Sequence, residues 1–172
     1  MQVAQEATGT TRLEIAAIAR EHYDAVFRFC ARRVGADRAA DAAQETFLTA
    51  QKALRKFRGE SSVSTWLFGI AHNECRRQMR KDRNLPMALE MDFAQPASED
   101  SESAIVDRQA LYQAMRKLSP EHREVVVLHE LDGLTYEEAA AILGVPVGTV
   151  KSRLHHAFLN LRRSLFPAGG EA

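Results

Sequence analysis

Leu134-Thr135-Tyr136-Glu137-Glu138-Ala139-Ala140-Ala141-Ile142-Leu143-Gly144-Val145-Pro146-Val147-Gly148-Thr149-Val150-Lys151-Ser152-Arg153-Leu154 is a stretch that carries its own punctuation. Thr135 through Glu138 reads as a capping box, in which hydroxyl and carboxylate satisfy each other's free backbone N–H groups. A short helix follows, apolar at Ala139, Ala140, Ile142 and Leu143, and Gly144 is the residue type favoured just past a helix end. Val145-Pro146 makes the turn, and a long helix begins near Val147. On that helix Val147, Val150, Leu154, Ala157, Leu161 and Leu165 fall on one stripe. Gly148, Thr149, Ser152, His155, His156 and Leu159 lie opposite, with Lys151 and Arg153 on the flanks. Ala140, Gly144 and Val150 leave room for two helices to pack closely at a steep angle. The pattern is that of a helix-turn-helix, whose second helix lies in the DNA major groove. Small polar and basic side chains near its start suit base edges and phosphates. A helical hairpin packed only on itself is the alternative.

Working outward, Leu118-Ser119-Pro120-Glu121 is a helix start, with Ser as N-cap and Pro at the first helical position. That helix carries Val125, Val126, Leu128 and His129 and stops at Asp132-Gly133. Further upstream, Asn84-Leu85-Pro86 ends a basic helical run, because proline disfavours a helical residue before it. Gln95 to Ser103 is poor in large apolar residues and reads as a flexible linker. The expected fold class is therefore all-α: two small helical domains, 10–83 and 107–166, joined by a flexible acidic linker over 84–106. The first ten residues and the tail from Pro167 read as disordered.

The 172 residues hold 23 Lys+Arg and 23 Asp+Glu, and zero net charge argues at first against a nucleic-acid binder. The distribution reverses that. Residues 49–83 hold 9 basic and 3 acidic side chains, whereas residues 84–107 hold 6 acidic and none basic. Such asymmetry points to a polyanion-binding surface beside an acidic segment, with solvated helix faces as the plainer reading. The longest stretch free of charged residues, Ser61 to Asn73, is too short to cross a bilayer, so no membrane insertion is expected. The start of the chain, with Glu6 and no Lys or Arg before Arg12, does not read as a secretory signal. Two cysteines, Cys30 and Cys75, suit a reducing cytosol.

In the N-terminal domain, the first helix carries Ile15, Ile18, Val26, Phe29, Cys30 and Val34 at helical spacing. A second, from about Asp37, is expected to bury Ala40, Ala43, Phe47, Ala50 and Leu54. Its other face shows Asp41, Glu45, Leu48 and Lys52, an acidic-and-leucine ridge suited to docking a partner helix. After the Phe57-to-Ser62 loop, a third helix runs from about Ser64 to Arg83. Val63, Leu67, Ile70 and Ala71 mark its core side. Thr65, His72, Asn73, Arg76 and Arg80 gather opposite, with Arg77 and Trp66 beside them. Cations, an aromatic ring and an amide together can hold a single strand: charge follows phosphate, rings stack, amides read base edges. A core Trp and solvated arginines are the alternative.

These stretches, taken in order, resemble the sigma-70 family, specifically its extracytoplasmic-function (ECF) sigma factors, over residues 12–165. Asp41-Ala42-Ala43-Gln44-Glu45-Thr46-Phe47 is similar to the family's acidic motif for the clamp helices of RNA polymerase. The resemblance thus implies core-polymerase binding through Asp41, Gln44, Glu45, Leu48 and Lys52. Phe57-Arg58-Gly59-Glu60-Ser61, Thr65-Trp66-Leu67 and Ile70-Ala71-His72-Asn73 resemble the segment that melts and reads the −10 element. It implies −10 contacts from Arg58, Ser61, Ser62, Thr65, Trp66, His72, Asn73, Arg76, Arg77 and Arg80. A flipped base would sit between the Arg58–Ser64 loop and Asn73. Leu134 to Leu154 resembles the −35-reading helix-turn-helix, implying contacts from Thr135, Gly148, Thr149, Lys151, Ser152, Arg153, His155 and His156. Where the family often shows further arginines, this chain has His155 and His156.

The function implied is a cytoplasmic transcription initiation factor without catalysis of its own. Its expected partners are core RNA polymerase, promoter DNA (duplex at −35, single-stranded at −10) and an anti-sigma factor. The acidic linker would occupy the polymerase's RNA path. No cofactor, metal or small-molecule substrate is expected, since no catalytic triad or carboxylate pair can be placed. His72 and Cys75 fall short of the four ligands that zinc prefers. A stand-alone DNA-binding regulator shares the helix-turn-helix but leaves the N-terminal motifs unexplained. A metal- or thiol-dependent sensor is the remaining alternative.

Overall fold

The computed structural model describes residues 2–81 and 102–167, all in helices and short connections. The chain divides into two compact units, 1–90 and 91–172. The expected linker lies largely outside the described residues, as does the tail beyond Pro167.

Three helices make the first unit: α1 (Gln2–Val34), α2 (Ala36–Ala53) and α3 (Val63–Lys81), with a 3₁₀ turn at Leu54–Lys56. Helix α1 starts at Gln2, contrary to the expected disorder of the first ten residues. Gln2 to Ala7 includes good helix formers and no Gly or Pro to stop the first turn. A single residue, Gly35, joins α1 to α2. Its φ of 87° is open to glycine at little cost, and its N–H returns to the Ala31 carbonyl at 2.9 Å.

So abrupt a turn lays α2 directly along α1, and small side chains permit the close approach. Ala39, Ala42, Ala43 and Ala50 are buried against Val26, Phe29, Cys30 and Val34. This buried stripe is rotated from the expected one: Ala40 is exposed and Phe47 only half-buried. Thr46 is buried instead, its hydroxyl donating to the Ala42 carbonyl at 2.7 Å. From α3 come Leu67, Ala71 and Cys75, while Phe68 stacks on Phe29 with ring centroids 4.8 Å apart. Arg33 is buried as well, its guanidinium 3.5 Å above the Phe29 ring and donating to the Phe29 carbonyl at 2.9 Å. The neighbouring Cys75 thiol, and then burial, push the Cys30 thiol far above its ordinary range. Cys30 is thus a protonated core group rather than a reactive thiolate.

The second unit holds α4 (Glu102–Lys117), α5 (Pro120–Val126), α6 (Tyr136–Leu143) and α7 (Val147–Leu165). Helix α4 reaches back to Glu102, five residues into the stretch read as linker. Ser119 caps α5, its hydroxyl accepting the His122 N–H at 3.3 Å. A π turn at Val127–Leu131 closes that helix. Arg123 holds the end of α4: its guanidinium donates to the carbonyls of Met115, Arg116 and Leu118 at 2.8–3.0 Å. Partial burial, with Arg116 nearby, lowers its pKa from the ordinary arginine value.

The capping box is formed. Thr135 Oγ1 accepts the Glu138 N–H at 3.2 Å, and the Thr135 N–H donates to Glu138 Oε2 at 2.9 Å. Gly144 ends α6 at φ 66°, and the buried side of α7 is Val150, Leu154, Ala157 and Leu161. Thr135→Ala is expected to cost about 1 kcal/mol. It should appear as a lower denaturation midpoint in far-UV circular dichroism of the full chain, and an unchanged midpoint would deny the cap this role.

Candidate nucleic-acid interface

In the first unit, the α2 face expected to dock a partner is exposed throughout: Asp41, Gln44, Glu45, Leu48 and Lys52 all face solvent. Leu48 is 43% exposed and Tyr23 41%. Leu48 stands on the lip of an apolar groove of about 440 Å³ between α1 and α2, lined among others by Ile15, Ala19, Tyr23 and Phe47. The sequence reading missed this groove, because Phe47 and Ala40 were assigned to the core. Tyr23 stacks toward Phe47 with centroids 6.1 Å apart, so the groove has an aromatic wall.

On α3, Asn73, Arg76, Arg77 and Arg80 are exposed and Trp66 is half-buried. Trp66 packs on Phe57 at 4.8 Å, and the two rings border a small cavity of about 190 Å³ with Lys56, Arg58, Glu60 and Ser61. Gly59, at φ 71°, turns the loop that forms its rim.

Two expected contacts lie elsewhere. Thr65 is 4% exposed and His72 is 2% exposed, so both side chains belong to the interior. The buried side of α3 reaches both residues: Thr65 lies one turn before Phe68, and His72 one turn after Phe68 and one turn before Cys75. The Thr65 hydroxyl meets Ser62 Oγ at 2.8 Å, and the Thr65 N–H donates to Ser62 Oγ at 3.1 Å. Ser62, though exposed, therefore serves as the helix cap. Arg77 is committed too. It pairs with Glu74 at 2.6 Å and approaches Glu45 of α2 at 3.6 Å, while Thr49 donates to Glu74 at 3.2 Å. Arg77 ties α3 to α2, and Arg76 and Arg80 remain as the outward cations of this face.

In the second unit, Gly148, Lys151, Ser152, His155 and His156 are exposed along α7, and Thr149 and Arg153 are half-exposed. Ser152 Oγ donates to the Thr149 carbonyl at 3.1 Å. Lys151 Nζ stands 5.3 Å from the Tyr136 ring centroid, a cation–π contact that steadies its charge. Thr135 is exposed, with its hydroxyl engaged in the capping box. Among the described residues no group of three or more His, Cys, Asp or Glu is placed to hold a metal ion. Nor is any described helix long and apolar enough to cross a membrane.

The family models for "Sigma-70 region 2" and "Sigma-70, region 4" match residues 18–84 and 108–161. RNA polymerase sigma factor YlaC of Bacillus subtilis is 34% identical over 155 residues, which cover 85% of this chain and 88% of that protein. The chain belongs to the sigma-70 family. Within it, this sigma factor is of the extracytoplasmic-function group, an alternative factor that directs transcription initiation. The ECF RNA polymerase sigma-E factor of Salmonella typhimurium is 35% identical over 130 residues, 68% of each chain. The solved sigma factor RpoE of Bartonella quintana, in complex with the anti-sigma factor NepR, superposes with a TM-score of 0.64. It is 28% identical, over 88% of this chain and 96% of that one. Sigma-70 regions bind core RNA polymerase and promoter DNA.

Proposed function

We propose that the exposed α2 face, Asp41, Gln44, Glu45, Leu48 and Lys52, seats core RNA polymerase, with the apolar groove behind Leu48 receiving the partner's apolar side chains. Asn73, Arg76 and Arg80 of α3 hold the unpaired −10 strand. Arg58, Ser61 and Trp66, around the loop cavity, take a flipped base, which requires a small pocket with an aromatic wall. Helix α7 enters the major groove at −35, with Gly148, Thr149, Lys151, Ser152, Arg153, His155 and His156 toward DNA. The domains then act as region 2 over 10–83 and region 4 over 107–166, with the acidic stretch 84–106 between them. The factor acts in the cytoplasm, performs no catalysis itself, and is held inactive by an anti-sigma factor covering these faces. A relative solved in complex with such a factor supports that last point.

One observation carries the reading. Within a single small unit, α2 presents carboxylates beside an apolar groove while α3 presents arginines beside an aromatic cavity. A stand-alone DNA-binding regulator has no use for the first of these. Glu45→Arg reverses charge at the middle of the α2 face, where opposed like charges cost several kcal/mol. It is expected to weaken co-purification with core polymerase at least about tenfold. Undiminished co-purification would overturn the assignment.

A further inference from the structure

Three imidazoles from two helices meet on the outer side of α7. The His156 ring lies 6.2 Å from the His122 ring of α5, with 30° between their planes, and 5.6 Å from His155, edge-on at 68°. His155 and His156 are exposed and His122 is half-buried. Sequence spacing shows only the adjacent pair, whose side chains leave the helix about 100° apart. Packing of α5 on α7 supplies the third.

We propose that promoter binding by α7 is linked to proton uptake: His122, His155 and His156 form a phosphate-contacting patch that becomes charged as DNA docks. The inference rests on the reading of α7 as the −35 helix and adds its regulation by pH. Imidazole, unlike guanidinium, is a side chain type able to gain or lose a proton in the physiological range. Charged rings at so short a distance repel one another, and a DNA phosphate beside them offsets that repulsion.

The surrounding charges are mixed in sign. Lys151 and Arg153 add positive charge from α7. From α5, Glu121 is the neighbouring anion. Its own backbone N–H, the Ser119 hydroxyl, Arg153 and His122 hold its carboxylate below the usual range. Arg123 is turned away to the carbonyls that end α4. From α6, the Tyr136 ring underlies Lys151.

Linkage then fixes the sign: a complex that binds more protons than its free partners tightens as pH falls. The test uses holoenzyme assembled from the full chain and core polymerase. Its probe is a duplex promoter fragment mapped by run-off transcription on a genomic DNA pool. Affinity is expected to rise about tenfold between pH 8 and pH 6. Calorimetry in buffers of different ionisation heat should show about one proton taken up per complex. The triple variant His122→Gln, His155→Gln, His156→Gln should lose both effects, and His155→Arg with His156→Arg should bind with little pH dependence.

Retention of the full pH dependence by the triple glutamine variant, or its absence from the parent protein, would overturn the proposal. Lys151→Ala with Ser152→Ala separates this from the −35 reading. If that pair loses −35-dependent binding at both pH values while the histidine variants change nothing, the proton link falls and the reading stands. If it binds normally, the reading of α7 falls, and the proposal falls with it.

Discussion

Phe29→Ala is expected to destabilise the N-terminal unit by about 3–5 kcal/mol, the range for removing a buried aromatic ring. Small domains have only about 5–15 kcal/mol in hand. Phe29 has no exposed surface and joins two elements at once, stacking on Phe68 of α3 with 7° between ring planes. It also supports Arg33, whose guanidinium rests 3.5 Å from the ring centroid. Deleting the ring leaves a cavity and also strips a buried cation of its stacking partner, so the upper end of the range applies. The measurement is urea denaturation followed by tryptophan fluorescence. Trp66 is the single tryptophan of the chain, so the signal reports on this unit. Phe29→Leu keeps most of the volume and should cost much less. An alanine variant with a parental midpoint would mean that the Phe29–Phe68 stack contributes little.

How legible a helix was depended on what marked its faces. The α6–turn–α7 region was readable because each boundary had a chemical signal: a capping box at Thr135, a left-handed glycine at Gly144, a proline at Pro146. Its buried stripe is made of Val, Leu and Ala against polar residues, so the period was clear. Helix α2 lacked that contrast. Alanine occurs on both of its faces, and packing against α1 chose Ala39 and Ala42 over Ala40 and Phe47. Which alanines are buried is set by the Gly35 turn, a property of two helices together. Thr65, His72 and Arg33 were hidden for another reason. A polar residue type suggests solvent, yet each can be accommodated inside by one good contact, such as Ser62 for Thr65 or the Phe29 ring for Arg33. The ion pairs of Arg77 to Glu74 and Glu45 leave no trace in charge counts. The third histidine of the α7 patch was out of reach in the same way, since only the packing of α5 on α7 brings it there.

Replacing Arg76 and Arg80 together by alanine is expected to lower open-complex formation about a hundredfold while leaving core-polymerase binding intact. Both side chains are exposed, one turn apart on α3, on the flank away from Cys75. A charge-assisted contact to a phosphate is worth roughly 1.5 kcal/mol or more. Two of them correspond to about two powers of ten, at about 1.4 kcal/mol per tenfold. The loss should carry an electrostatic signature. Removing two phosphate contacts to a single strand lowers the slope of log affinity against log salt by about 1.4. Arg77→Ala is the internal comparison, because Arg77 is held by Glu74 and Glu45. That change should loosen the α2–α3 contact and lower thermal stability, with a much smaller effect on the salt slope. Permanganate footprinting of the unpaired −10 thymines reads the first effect, and co-purification with core enzyme verifies that the α2 face is intact. Normal melting by the Arg76–Arg80 double variant would remove α3 from strand capture. Melting lost together with polymerase binding would instead mean that the unit had unfolded. Melting lost with polymerase binding retained is the result expected of two faces that share one small domain and serve different partners.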